Sequence, residues 1–117
     1  MYYLGKDKVK GRGLYAAHDL KKDQILMECP ILKFGKNDTD LILRTKLDNY
    51  AFTYDSEHTC ILFGYGMMMN HSDTPNVKYR LSNEDLFVFT LSKNVKKGEE
   101  LCIDYGPRHS KKFKELK

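Results

Sequence analysis

Three short clusters carry residue types that can hold a ligand or steer a reaction. In Lys10-Gly11-Arg12-Gly13-Leu14-Tyr15-Ala16, two closely spaced glycines let backbone approach a ligand and allow positive φ. The same fragment also reads as a tight turn before a strand. Further on, Met67-Met68-Met69 runs directly into Asn70-His71-Ser72, and a turn through Pro75 closes on Asn76. Amides that follow a buried run must find partners. Either this loop satisfies its own backbone, or Asn70 and nearby backbone groups hold a polar ligand. The third cluster, Gly98-Glu99-Glu100-Leu101-Cys102-Ile103-Asp104-Tyr105-Gly106, ends a strand on a tyrosine. Its ring is either a core aromatic with the hydroxyl at the rim or a group facing a site. His18, His58, His71 and His109 show no paired ligand spacing, and Cys29, Cys60 and Cys102 form no CxxC pair, so no metal centre is expected.

The elements that must position these clusters are short and mostly extended. Residues 14–17 and 24–28 flank the polar stretch 18–23, and 31–34 follow Pro30 until Gly35 breaks the run. Asn37-Asp38-Thr39-Asp40 offers N-cap side chains before Leu41-Ile42-Leu43-Arg44, which predicts one short helix. Residues 50–54 and 58–63, aromatic and β-branched, predict a hairpin about Asp55-Ser56-Glu57. A second hairpin pairs 77–81 with 86–91 across 82–85, and the latter strand carries apolar residues on both faces, so both should be partly covered. Lys97-Gly98 marks a turn before a strand at 101–105. Many short strands, little helix and no βαβ rhythm predict a mainly β domain of several small sheets, and argue against a doubly wound nucleotide-binding fold.

With 117 residues, 41% hydrophobic and 31% charged, the chain has the balance of one globular domain, not of a disordered tail. No apolar run approaches the roughly 20 residues that cross a bilayer. The first residues lack the basic-then-apolar order of a signal peptide, so an intracellular protein with reduced thiols and no membrane partner is expected. The net charge is +4, with basic residues gathered at 6–10, 93–97 and 111–117. A solvated face is the plain reading of these clusters, and weak attraction to nucleic acid the sharper one.

Taken in order, the clusters resemble the SET domain family of protein-lysine methyltransferases. Gly11-Arg12-Gly13-Leu14-Tyr15-Ala16 followed by Ile25-Leu26-Met27-Glu28 is similar to the family's N-terminal motif. Asn70-His71-Ser72 through Pro75-Asn76 matches its NHSxxPN motif at every fixed position, and Glu99-Glu100-Leu101 with Asp104-Tyr105-Gly106 is similar to its GEEL-x-x-DYG motif. The small size resembles the minimal viral or bacterial members. The resemblance implies a β-clip-like fold of small sheets with a C-terminal pseudoknot. It also implies two openings joined by a narrow channel, with the methyl donor on one side and the target lysine on the other. Residues 1–106 would form the SET domain. Because the cysteine-rich flanks of many members are missing, residues 107–117 would form the cap that completes the site.

The roles implied by the resemblance can be placed residue by residue. S-adenosylmethionine is the implied cofactor, leaving as S-adenosylhomocysteine, with no metal. Gly11, Arg12 and Gly13 would present backbone to its methionine part, Asn70 would hydrogen-bond the same part, and the backbone of His71 would pair with adenine. Phe113 would pack on that base. Tyr105 corresponds to the catalytic tyrosine, and Tyr50 to a second catalytic tyrosine near the cofactor carboxylate and the lysine channel. Met67 and Met69 would line the pore with their carbonyls. Tyr79 and Ile103 would flank the lysine channel and bear on whether one or two methyl groups are added.

The chemistry fits such groups. A lysine must lose its proton to attack, which costs about 4.6 kcal/mol at pH 7. A nearby sulfonium and burial of the side chain both push its pKa down. The implied substrate is a histone tail, H3 first, which would put the protein in a nucleus, a host's if it is viral. A non-histone lysine, and an inactive SET-like module that binds a peptide or nucleic acid, are the rivals. Nucleosomal DNA would suit the basic clusters. A homodimer would cover surface that the small core and the short insert at 35–47 leave open.

Overall fold

The computed structural model describes residues 1–7, 9, 11–46 and 50–106. Among them nine strands lie in two sheets, with one α-helix and a 3-10 turn. Strands β1 (Tyr2–Asp7), β2 (Gly11–Ala16), β9 (Glu100–Ile103) and β6 (Asn70–His71) form a four-stranded sheet in the order β1-β2-β9-β6. Strands β4 (Phe52–Thr53), β5 (Thr59–Leu62), β3 (Ile25–Lys33), β8 (Leu86–Leu91) and β7 (Val77–Leu81) form a five-stranded sheet in the order β4-β5-β3-β8-β7. The chain is mainly β, as expected. Leu14, Met69, Phe89, Leu91, Leu101 and Ile103, all fully buried, lie at the centre of a core to which both sheets contribute.

Both predicted hairpins are present. The β4–β5 turn is tied by one carboxylate. Asp55 Oδ1 accepts from the Glu57 and His58 amides at 2.9 and 2.8 Å and meets His58 Nδ1 at 2.7 Å. In the β7–β8 hairpin Val77 faces Leu91 and Leu81 faces Phe87. Phe87, Val88 and Phe89 are buried in succession, so β8 is covered on both faces.

The structure departs from the sequence expectations at several places. Strand β1, which the sequence reading passed over, pairs along its whole length with β2, from Tyr2 opposite Ala16 to Asp7 opposite Gly11. Pro30 does not divide two strands. Residues 25–33 form one strand, and Pro30 sits where it changes partner, from β8 below Pro30 to β5 above it. The missing proline N–H falls at the last rung of one ladder, where it costs little, and the Pro30 carbonyl accepts from the Phe63 amide at 2.8 Å. A bulge between Ile25 and Met27 turns the consecutive Leu26 and Met27 both inward.

The helix α1 (Lys36–Ile42) starts before the predicted caps, at Gly35 and with no side-chain cap. Thr39, expected near the cap, is instead buried. Its Oγ1 accepts from the Thr59 amide at 3.0 Å and faces the Phe34 carbonyl at 3.5 Å, which pins the helix to the start of β5. The expected turn at Lys97-Gly98 is present, with Gly98 at φ +89° and its amide on the Ala16 carbonyl.

Candidate active site

The site is assembled around β9, which is antiparallel to β2 on one side and parallel to β6 on the other. Asn70 stands opposite Cys102 and His71 opposite Ile103. The loop that follows β6 is laced to the same strand. Ser72 N–H donates to the Ile103 carbonyl at 2.9 Å. The Asn76 carboxamide acts as an extra rung, giving an N–H to the Glu100 carbonyl at 2.8 Å and accepting the Cys102 amide at 2.9 Å. The Asn-His-Ser and Asp-Tyr segments are thereby locked together.

This closure fixes Tyr105. Its amide donates to His71 Nδ1 at 2.9 Å, so the imidazole N–H belongs on Nε2, which meets Asp73 Oδ1 at 3.0 Å. With Nδ1 accepting, the 3.8 Å approach of Asp104 Oδ1 to that atom is not an ion pair. At the other end, the Tyr105 hydroxyl donates to the Met69 carbonyl at 2.6 Å. Burial, with smaller contributions from neighbouring Cys102, Tyr50 and Glu100, pushes the phenol up to about 12. Tyr50 thus lies within electrostatic reach of Tyr105, on an exposed turn. Next to them Tyr79, whose hydroxyl donates to the Asp104 carbonyl at 3.0 Å, packs against Phe52, Phe87 and Phe89 with ring centroids 5.4–5.8 Å away. Burial raises the Tyr79 phenol as well.

On the β2 side, Asn70 Nδ2 donates to the Arg12 carbonyl at 3.0 Å and to Glu100 Oε2 at 2.7 Å. At Gly13 a Cβ would stand 2.6 Å from Glu100 Oε2 and 3.0 Å from Asn70 Nδ2, so any larger residue would displace these two side-chain ends from their present places. Gly11 differs, with φ +80° and open space about it. A carbonyl, a carboxylate and a carboxamide beside an open glycine backbone suit the amino end of an amino-acid-like ligand. Among the described residues no three His, Cys, Asp or Glu side chains gather to hold a metal ion.

The structure therefore brings together Gly13, the Arg12 backbone, Asn70, His71, Met69, Tyr79, Tyr105 and, more loosely, Tyr50. Met67 lies in the 3-10 turn Tyr65–Met68, half-buried. The Ile103 side chain is sealed in the core, with its carbonyl on Ser72. Phe113 lies outside the described residues. Sequence reading assigned no task to Glu100 or to Asn76. In the sequence Glu100 stands only as part of the Glu99-Glu100-Leu101 motif, and Asn76 as the end of a turn. Only the pairing of β9 reveals what each holds.

A family model described as the SET domain matches residues 11–106. Over 100 residues the chain is 31% identical to "Histone-lysine N-methyltransferase, H3 lysine-37 specific" of Schizosaccharomyces pombe, covering 83% of this chain and 67% of that protein. It is 29% identical over 122 residues to human "Histone-lysine N-methyltransferase 2D", covering 88% of this chain but only 2% of that one. The chain thus spans two thirds of the first relative and a small piece of the second. The crystal structure of a Plasmodium falciparum protein described as a histone methyltransferase superposes with a TM-score of 0.73 at 26% identity, covering 92% of this chain and 98% of that chain.

Proposed function

The chain belongs to the SET domain family of methyltransferases, and we propose that it moves a methyl group from S-adenosylmethionine to a lysine amine on a histone tail, H3 first. The convergence of residues 11–13, 69–71 and 100–105 on one place carries this reading. The histone assignment is supported by the relatives, whose names specify histone lysine and, in one case, lysine 37 of H3.

The donor, when bound, supplies an electrophilic methyl group on a sulfonium. Asn70 and the backbone of residues 11–13 would hold its methionine end, with open space about Gly11. The remaining work belongs to the far side. Tyr105 gives its O–H to the Met69 carbonyl, so toward an approaching amine or methyl group its oxygen can act only as an acceptor. With its ionisation pushed up to about 12, the group acts as a phenol that orients and not as a base. The carbonyls of Met67 and Met69 provide fixed dipoles of the sign that stabilises developing positive charge. The half-buried rings of Phe52 and Tyr79, backed by the core rings of Phe87 and Phe89, would give a lysine stem an apolar surface, and desolvation there favours the neutral amine. Tyr50 would stand beside the same passage, and Tyr79, its hydroxyl held by Asp104, would limit transfer to one or two methyl groups.

Residues 107–117, Phe113 among them, are assigned to closing the donor side. A chain ending at Gly106 should then keep its fold and bind S-adenosylhomocysteine more weakly. A nuclear location follows from a histone substrate. Sedimentation tests the expected homodimer, and nucleosomes compared with free H3 test the expected contact with DNA. The deciding experiment is radiolabelled methyl transfer to nucleosomes, free histones and ribosomal-protein tails, with the modified residue mapped. Labelled lysine in an H3 tail is the expected result. Absence of any labelled protein, together with no binding of S-adenosylhomocysteine, would refute the enzymatic reading.

A further inference from the structure

We infer that Glu100 is a positioning residue of the donor site, fixing the Asn70 carboxamide so that its oxygen faces the amino end of the ligand. The inference rests on the function proposed above and adds a positioning residue to it. The Asn70 amide has two hydrogens, and both are committed: one to the Arg12 carbonyl at 3.0 Å, one to Glu100 Oε2 at 2.7 Å. The atom left to meet a ligand is Oδ1, an acceptor. In the flipped orientation Oδ1 would face two oxygens and be repelled by both. The orientation is thus dictated by its surroundings.

Glu100 is the stronger of the two constraints. Its bond is shorter and charge-assisted, whereas Arg12 contributes a neutral carbonyl. Glu100 is itself held from three sides. Its backbone faces Tyr15 on β2, its carbonyl takes the Asn76 amide, and its carboxylate lies against the space left empty by Gly13. The absence of a side chain at 13 is therefore a requirement of the Glu100–Asn70 bond. An acceptor oxygen backed by a carboxylate selects a ligand end that donates hydrogen bonds and carries positive charge. An α-ammonium group has that chemistry, and a ligand lacking the amino-acid portion does not.

Calorimetry with S-adenosylhomocysteine and with 5′-methylthioadenosine, which lacks the amino-acid portion, tests this on the full chain. Glu100→Ala should weaken S-adenosylhomocysteine about tenfold, as expected for loss of a charge-assisted bond, and leave methylthioadenosine unchanged. Glu100→Gln, which keeps an acceptor for the Asn70 amide, should recover most of the loss. In steady state KM for the donor should rise with kcat nearly constant. If Glu100→Ala does not fold, Gly13→Ala carries the same prediction by displacing the carboxylate from the other side. Unchanged affinity in the alanine variants, equal weakening of both ligands, or no recovery with glutamine each overturns the inference. Wild-type protein that binds neither ligand instead sinks the methyltransferase reading, and Glu100's role falls with it.

Discussion

Tyr105 is held at both ends, by its amide on His71 and its hydroxyl on Met69. Tyr105→Phe removes only the second tie. Turnover should fall on the order of 100-fold, the usual loss when one aligned polar group leaves a reacting centre, while S-adenosylhomocysteine binding stays within about threefold. Near wild-type turnover would show that the hydroxyl has no part in the reaction. The same residue gives a spectroscopic prediction. Its phenol, pushed up to about 12, should be among the last tyrosines to appear as tyrosinate in an alkaline absorbance titration. Comparison of wild-type with Tyr105→Phe should show a missing late step and no change near pH 10. Tyr105, Asn70 and His71 were legible in the sequence because the motif spells out their types and order. Their partners were not. The Met69 carbonyl carries no side-chain signature, and the pairing of Asn70 with Glu100 spans 30 residues.

Among the elements, β9 depends on an asparagine that belongs to no strand. Asn76→Ala strips two hydrogen bonds from the β9 backbone and leaves partly buried groups unpaired, which should cost about 2–4 kcal/mol in a urea unfolding experiment. Asn76→Asp keeps an acceptor for Cys102 but opposes the Glu100 carbonyl with a carboxylate oxygen, so it should be no better than alanine. A destabilisation under about 0.5 kcal/mol for Asn76→Ala, the scale of an ordinary surface change, would contradict this account. Gly66→Ala tests packing at the 3-10 turn. The added Cβ would stand 2.6 Å from the Phe89 ring, and overpacking of this kind costs roughly 1–3 kcal/mol. The two hairpins were legible because turn residues and alternating apolar residues are local signals. Strand β1 was not, since Tyr3 and Leu4 are both exposed and break the alternation. Nor was the continuity of β3, because a proline is harmless only where a strand changes neighbours, and that place is set by tertiary pairing. Thr39 misled for a related reason: its hydroxyl serves a sheet residue 20 positions away and not its own helix.

At the scale of the whole molecule, the perturbed groups set a pH range. Burial raises the thiols of Cys29 and Cys60, the latter to about 11, and the phenols of Tyr79 and Tyr105. All four are neutral when protonated, and the folded state keeps those protons more tightly than the unfolded chain does. Their contribution is complete below the unfolded values, near 9 for thiols and 10 for phenols. It is lost as pH rises through the folded values, about 11 for Cys60 and about 12 for Tyr105. The urea midpoint should therefore fall between pH 9 and 12. A midpoint independent of pH across that interval would mean that these groups are as exposed as in the unfolded chain.

The place of β9 has a temporal consequence. Residues 100–103 fill the middle of a sheet whose neighbours are made much earlier, and Tyr105 follows two residues later. Chains emerge from the ribosome N-terminus first, so the strand that lies between β2 and β6 is not available until residues 100–103 have been synthesised. No fragment released before that moment could be partly competent: the clasp, the tyrosine and the carboxylate that orients Asn70 all arrive in the same instalment. The site is therefore completed late and in one step.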